Sequence, residues 1–296
     1  MSLSIIICAT KPKLVEDVRR NIAETIGNDA VYEIIAIDNT VNPRSISQVY
    51  NDGGRKAKYD NLLFLHQDAG FITKDWYKQI EEKLRERDCG VIGFAGTKVF
   101  FNYPAGWAFT GHEWLVAHYN DGEVVDLNRP EGEDFAEVVV VDGFVMFVRK
   151  DVWEKRPFDE KAVTGFHCYD IDFCLSLLPE YKNYVCCSVL PYHLSKGNFD
   201  EKWVQQTIKL YNSKWKYILP RYASDVRLSP AEAKNKEERG CFRAIRMLHK
   251  SGVKLPLINK HFLKYPLTAR HFEHLIKFSS YHLSDLFKNY VRKKKK

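Results

Sequence analysis

In the first 96 residues, four short and uninterrupted apolar runs alternate with stretches of helical periodicity, and this pattern limits the fold more than any other feature. Leu3–Thr10 (LSIIICAT) is apolar without alternation, as expected of a strand covered on both faces. Pro12 suits a first helical position, Leu14, Val15, Val18, Ile22 and Ile26 recur at helical spacing, and Gly27 closes that helix. Tyr32–Ile37 reads as a second buried strand. Ser45–Gln48 (SISQ) is a capping box that opens a helix through Lys58. Strand 62–68, a helix over about 74–87 and strand 90–95 follow. The alternation predicts an α/β fold, a mostly parallel sheet flanked by helices on both faces.

The strand ends point to function. Tyr32–Ile37 empties into Asp38-Asn39-Thr40, and Leu62–Leu65 empties into His66-Gln67-Asp68 before a turn at Gly70. In open α/β sheets ligands collect beyond the carboxyl ends of the strands, which makes Asp68 a candidate for a metal or a diphosphate. The first strand is not followed by G-x-G-x-x-G, and GxxxxGK[ST] does not occur, which excludes a dinucleotide fold and a P-loop. Residues 97–137 lose the rhythm and gain rings: Phe100, Phe101, Tyr103, Trp107, Phe109 and Trp114. Asn120–Gly122 reads as a hairpin turn. Strand 137–148 is interrupted at Asp142-Gly143. A loop from Gly165 runs into a helix ending before Pro179, strand 184–190 ends at Pro191-Tyr192-His193, and 203–217 looks helical.

The ordered set SIIICAT, EIIAIDN, NLLFLHQD, VDGFVMFVRKDVW, FDE, HCYDIDFCLSL and PYH resembles the GT-A glycosyltransferases, specifically relatives of the inverting family 2, over residues 3–217. The resemblance implies a GT-A, Rossmann-like domain over 1–222, with a nucleotide-sugar-binding half (1–96) and an acceptor and catalytic half (97–222). It implies transfer of a sugar from a nucleotide-diphosphate donor to a saccharide or lipid-linked saccharide, as in polysaccharide biosynthesis. By position, Thr10, Asp38, Asn51 and Asp68 match donor-binding residues. Asp68 with His193 matches the site for Mn2+ or Mg2+. Asp170 matches the catalytic acid, with Asp172 two residues on. His66 stands where the family has its first DxD acid, and Tyr169 stands where a Glu commonly precedes the base.

Each candidate has a plainer use beside it. Asp170 would take a proton from the acceptor hydroxyl, or cap its helix. Asp172 would touch the acceptor side, support from behind or cap. Asp142 would orient the acceptor or close a turn. Asp38 would read a pyrimidine or end a strand. His193 would ligate or pack in its loop. Trp107, Phe109 and Trp114 would form a sugar-stacking wall or core.

Seven Cys without CxxC spacing, no basic-then-apolar leader and no apolar run near 20 residues place the chain, as an expectation, in the cytoplasm. The net charge of +7 is uneven: residues 223–296 hold 18 Lys/Arg against 6 Asp/Glu, so the first 222 residues are net acidic. Ser229–Glu232 is a capping box for a helix ending near Gly252. A stripe through Phe272, Ile276, Ser279, Leu283, Leu286 and Tyr290 precedes the lysines Lys293–Lys296. The stripe of this basic helical extension is expected to pack on the catalytic domain or on a second copy of the chain, or, with the lysines, to lie on the inner face of an anionic membrane. Nucleic-acid binding is disfavoured by the acidic body. The competing reading is a non-catalytic nucleotide-sugar or glycan-binding module that kept the fold.

Overall fold

The computed structural model describes residues 2–250 except 110–113, 121–122, 128–131, 196 and 198, and only the backbone of 114–120, 123–127 and 245–250. Strand β1 (Ser2–Ala9), helix α1 (Pro12–Thr25), β2 (Val31–Asp38), α2 (Ile46–Lys56) and β3 (Asn61–Leu65) alternate as the periodicity predicts. Pro12 opens α1, and Gly27 follows it at φ +107°. Both halves of the Ser45–Gln48 capping box are formed. Next come β4 (Ala69–Phe71), α3 (Tyr77–Leu84), β5 (Cys89–Gly93), β6 (Ala95–Thr97), β7 (Val99–Phe100), β8 (Trp114–Asn120), β9 (Glu123–Leu127), β10 (Phe135–Val138) and β11 (Val140–Val141). The chain continues through β12 (Val145–Arg149), α4 (Lys150–Lys155), α5 (Tyr169–Leu177), β13 (Lys182–Cys186), β14 (Pro191–His193), α6 (Glu201–Ser213), β15 (Arg221–Tyr222) and α7 (Pro230–Lys250). Several expected boundaries move: α3 is shorter than 74–87, strand 62–68 stops at Leu65, and strand 90–95 divides into β5 and β6. Strand 137–148 divides into three at Val139 and at its polar break, strand 184–190 ends at Cys186 and helix 203–217 ends at Ser213.

The main sheet has the order β10-β13-β5-β12-β3-β1-β2. Strands β2, β1, β3, β5 and β13 share one direction, whereas β12 and β10 run against it. Alternate residues of its strands feed two separate cores. Ile6, Leu62 and Phe64 pack on one face with Tyr50, Trp153 and Phe158, and Ile5, Ile7, Leu63 and Leu65 pack on the other with Val18, Ile22 and Trp76. Burial on both faces is why these runs show no polar alternation.

Two insertions bring distant segments to the end of β3. Strand β12 lies between β3 and β5, so the turn before it sits over His66, whose backbone N–H donates to the Phe144 carbonyl (3.0 Å). A second sheet, β11-β6-β8-β14-β4, pairs His193 with Ala69, and Leu194 N–H donates to the Asp68 carbonyl (3.0 Å). Helix α7 opens on the expected Ser229–Glu232 box and buries Cys241, Phe242 and Ala244 in the first core. Among the described residues no helix is long and apolar enough to cross a membrane. The expected stripe 272–290 and the terminal lysines lie outside the described residues, as do two of the hairpin-turn residues 120–122, although β8 and β9 pair antiparallel around them.

Candidate active site

Four segments meet beyond the carboxyl end of β3: His66 and Asp68 on the turn into β4, Asp142 and Gly143 between β11 and β12, Tyr169 and Asp170 at the start of α5, and His193 on β14. One ligand-capable atom each from His66, Asp68 and His193 falls within 4.8 Å of the others. His193 Nε2 is buried without a hydrogen-bond partner among the described residues, 3.6 Å from Asp68 Oδ1. That gap is too long for a hydrogen bond and suits two ligands of one small cation. Burial pushes the Asp68 carboxyl up, but the neighbouring His193 and His66 imidazoles outweigh it and hold the carboxyl below its usual range. Burial, with His193 beside it, takes His66 down to about 4, so its imidazole is neutral near pH 7. A neutral imidazole is the ligating form, and the His-Asp-His set fits a divalent metal.

The tautomer of His66 follows from its neighbours. His66 Nε2 lies 2.7 Å from the Tyr169 hydroxyl, which itself donates to the Gly143 carbonyl at 2.8 Å. A hydroxyl has one proton, so His66 must donate Nε2–H to Tyr169, leaving the Nδ1 lone pair free at 4.0 Å from Asp68. A hydrogen bond of this kind would hold the His66 ring in one tautomer and orientation for a metal. The two departures from the family pattern, His66 and Tyr169, are therefore one contact. His66 does not thin the candidate site; it adds a third ligand-capable side chain to the expected pair Asp68 and His193.

Asp170 lies in the first turn of α5, whose N-cap is Cys168, so it does not cap the helix as the plainer reading held. Its Oδ2 accepts from Gly143 N–H (3.0 Å), and burial followed by the charge of Asp142 pushes its carboxyl up to about 7. A Cβ on residue 143 would lie 2.3 Å from the Tyr169 hydroxyl and 3.0 Å from Asp170 Cβ, so only glycine admits this approach. Asp142 accepts from Trp107 Nε1 (2.9 Å) and Phe144 N–H (3.1 Å).

At the donor end, Asp38 closes β2 in the open, where hydrogen bonds from the Thr40 hydroxyl (2.6 Å) and N–H (2.9 Å) hold its carboxyl below the usual range. It stands two strand spacings from the end of β3, about 10 Å. Between them, Gln67 ties β3 to Thr10, accepting from Thr10 N–H (2.8 Å) and donating to its hydroxyl (2.6 Å). Sequence positions 68 and 170 thus share one cluster, and 38 opens at the same end of the sheet.

Three expectations are corrected. Asn51 is buried and brackets the chain internally: it donates to the Phe158 carbonyl (2.9 Å) and Glu160 (2.8 Å) and accepts from Trp153 Nε1 (3.2 Å), so it does not face a nucleotide. Asp172 is 3% exposed, with Lys214 Nζ at 2.7 Å and Trp215 Nε1 at 3.0 Å, which closes it to an acceptor. Of the expected wall, Phe109 alone is corrected: it is core, packed on Phe199 and Trp203. Trp107 is half-buried beside the cluster, its indole N–H donating to Asp142, and the Trp114 side chain lies outside the described residues. The exposed ring beside the cluster is Phe166, 54% exposed and 5.5 Å from the His66 ring between centroids. Its place in an apparently featureless loop gave no sequence signal.

A model of a glycosyltransferase-like family matches residues 4–218. No curated protein matches the chain in sequence. Among solved structures, the mannosyltransferase PcManGT from Pyrobaculum calidifontis, in complex with GDP-Man and Mn2+, is similar at TM-score 0.51 and 9% identity, over 98% of this chain and 82% of that one. GalNAc-T7 with UDP, GalNAc and Mn2+ is similar at TM-score 0.51 and 8% identity, over 86% of this chain and 55% of that one. At such identities these likenesses show a shared GT-A fold, in agreement with the expected α/β architecture.

Proposed function

The chain belongs to the glycosyltransferase-like family whose model spans residues 4–218, and from that premise we propose that it is an inverting enzyme with Asp170 as general base. The donor is a nucleotide-diphosphate sugar at the ends of β1, β2 and β3, near Thr10, Asp38 and Asp68. The acceptor is a hydroxyl of a saccharide or lipid-linked saccharide. Asp170 takes the proton of that hydroxyl as its oxygen bonds to the anomeric carbon, and the bond from that carbon to the diphosphate breaks. A single displacement inverts the configuration. The observation that carries this reading is a carboxylate poised at about 7 in the same cluster as a His-Asp-His metal site.

His66, Asp68 and His193 would hold the metal, and when bound it would stabilise charge on the departing diphosphate. Two imidazoles beside one carboxylate favour Mn2+ over Mg2+. Asp142 acts through Asp170, since its charge helps hold the base protonated until near neutrality. The non-catalytic reading drew on His66 and Tyr169 as lost features, and their mutual hydrogen bond removes that support. Donor turnover by wild type and Asp170→Asn tests the proposal. The variant is expected to lose transfer while a nucleoside diphosphate with Mn2+ still raises its melting temperature; near-normal turnover overturns Asp170 as base.

A further inference from the structure

A groove of about 590 Å³ opens between the loop Thr164–His167 and the first half of α6, and none of the roles above uses it. Its volume lies in the range of small-molecule sites. Phe166 belongs to both the groove and the cluster: its ring centroid is 5.5 Å from His66, 6.3 Å from Tyr169 and 5.8 Å from His167. Through Phe166 the groove adjoins His66 and Tyr169, and along the chain Asp170 follows Phe166 by four residues.

The loop is held so that this ring faces outward. Cys168 adopts the left-handed conformation (φ +66°), an uncommon state for a residue with a side chain, and its Sγ lies 3.1 Å from the Thr207 hydroxyl on α6. Gln206 Nε2 (2.9 Å) and Lys209 Nζ (3.1 Å), also on α6, both donate to the Ala162 carbonyl. Loop and helix are thus tied together at the base of the groove. The rings Tyr50, Phe64, Phe158 and Tyr169 beside the cluster are buried, while Phe166 leaves half its surface to water. Around it the walls are polar: the Asp200 carboxylate, the His167 imidazole 3.6 Å from it, the Gln205 amide and the Lys202 ammonium.

One flat apolar face opposite mixed donors and acceptors is the complement of a pyranose ring, which presents C–H bonds on its face and hydroxyls at its rim. We propose that this groove is the acceptor subsite, with Phe166 stacking on the sugar next to the accepting hydroxyl and Asp200, His167 and Gln205 reading its hydroxyls. The assignment rests on the reading of Asp170 as base, which fixes where the reacting hydroxyl lies.

The test is saturation-transfer NMR on the full chain, using methyl glycosides of glucose, galactose, mannose and N-acetylglucosamine and their disaccharides as probes. Wild type is expected to bind at least one of them. Phe166→Ala should weaken that binding about tenfold and Phe166→Tyr should restore it. UDP or GDP with Mn2+ should shift the melting temperature equally in all three. No glycoside bound by wild type, or equal binding by Phe166→Ala, overturns the proposal. Normal turnover by Asp170→Asn with Phe166-dependent glycoside binding would overturn the base and leave the groove standing, so the two failures are distinguishable.

Discussion

Asp170 and Asp172 lie two residues apart in the first turn of α5 and live in opposite surroundings. Asp170 faces Gly143 and the charge of Asp142, and its carboxyl is pushed up to about 7. Asp172 faces the other side, where Lys214 and Trp215 take both its oxygens. A step of two residues turns a helix by about 200°, so sequence neighbours of one type project onto different partners. One acid is kept short of charge partners and the other is saturated with them. The first arrangement suits proton transfer and the second suits holding the fold.

This contrast is broken most directly by exchanging the two acids for neutral residues in turn. Asp170→Asn should lower turnover by about 10²–10⁴-fold, the range for a lost general base, without destabilising the fold, because it removes a carboxyl whose charge the folded chain disfavours. Asp172→Ala should do the reverse. It leaves the buried Trp215 N–H unpaired, for a cost of about 1–3 kcal/mol in urea unfolding. The cost stays below that of a fully buried ion pair because the Lys214 side chain is 36% exposed and can turn to water. If both variants lose activity and stability alike, the division of labour within this helix turn is wrong.

Tyr169→Phe sharpens the comparison at its metal-facing edge. It removes the acceptor of the His66 Nε2–H bond and keeps the ring, so Mn2+ affinity measured on the metal-free chain should fall about 10–100-fold while the fold persists. Unchanged affinity would mean that His66 is not a ligand.

The remaining effect is in pH. A carboxyl raised from its ordinary value to about 7 stays protonated in the folded chain while the unfolded chain ionises, so metal-free stability should fall as pH rises from about 4 to about 7 and then level off. Turnover should show an acid limb near 7, because the base must be ionised to act. Asp142→Asn removes one cause of the shift, so that limb should move to lower pH. A limb that stays in place would exclude Asp142 as its neighbour in charge.

Local signals in the sequence carried far. Pro12, Gly27 and the boxes at Ser45 and Ser229 mark helix ends through contacts within a few residues, and strand burial shows in apolar runs such as Leu62–Leu65. The ends of those strands led to Asp68, and the ordered motifs led to Asp170 and His193. What stayed hidden depends on which way a side chain points after distant segments meet. Tyr169 reaches His66 across 103 residues, and nothing near either one announces it. Asn51 and Asp172 carry suitable chemistry but are turned inward, and Phe166 carries no suitable chemistry on paper yet is turned outward.

Gly143 shows what this compactness demands. Its carbonyl receives the Tyr169 hydroxyl, which steadies His66, and its amide hydrogen steadies Asp170. In the proposed mechanism, grip on the leaving group and activation of the incoming one would both hinge on a single residue with no side chain. A methyl there would push against both at once, so neither half of the reaction can be retuned from that position without disturbing the other.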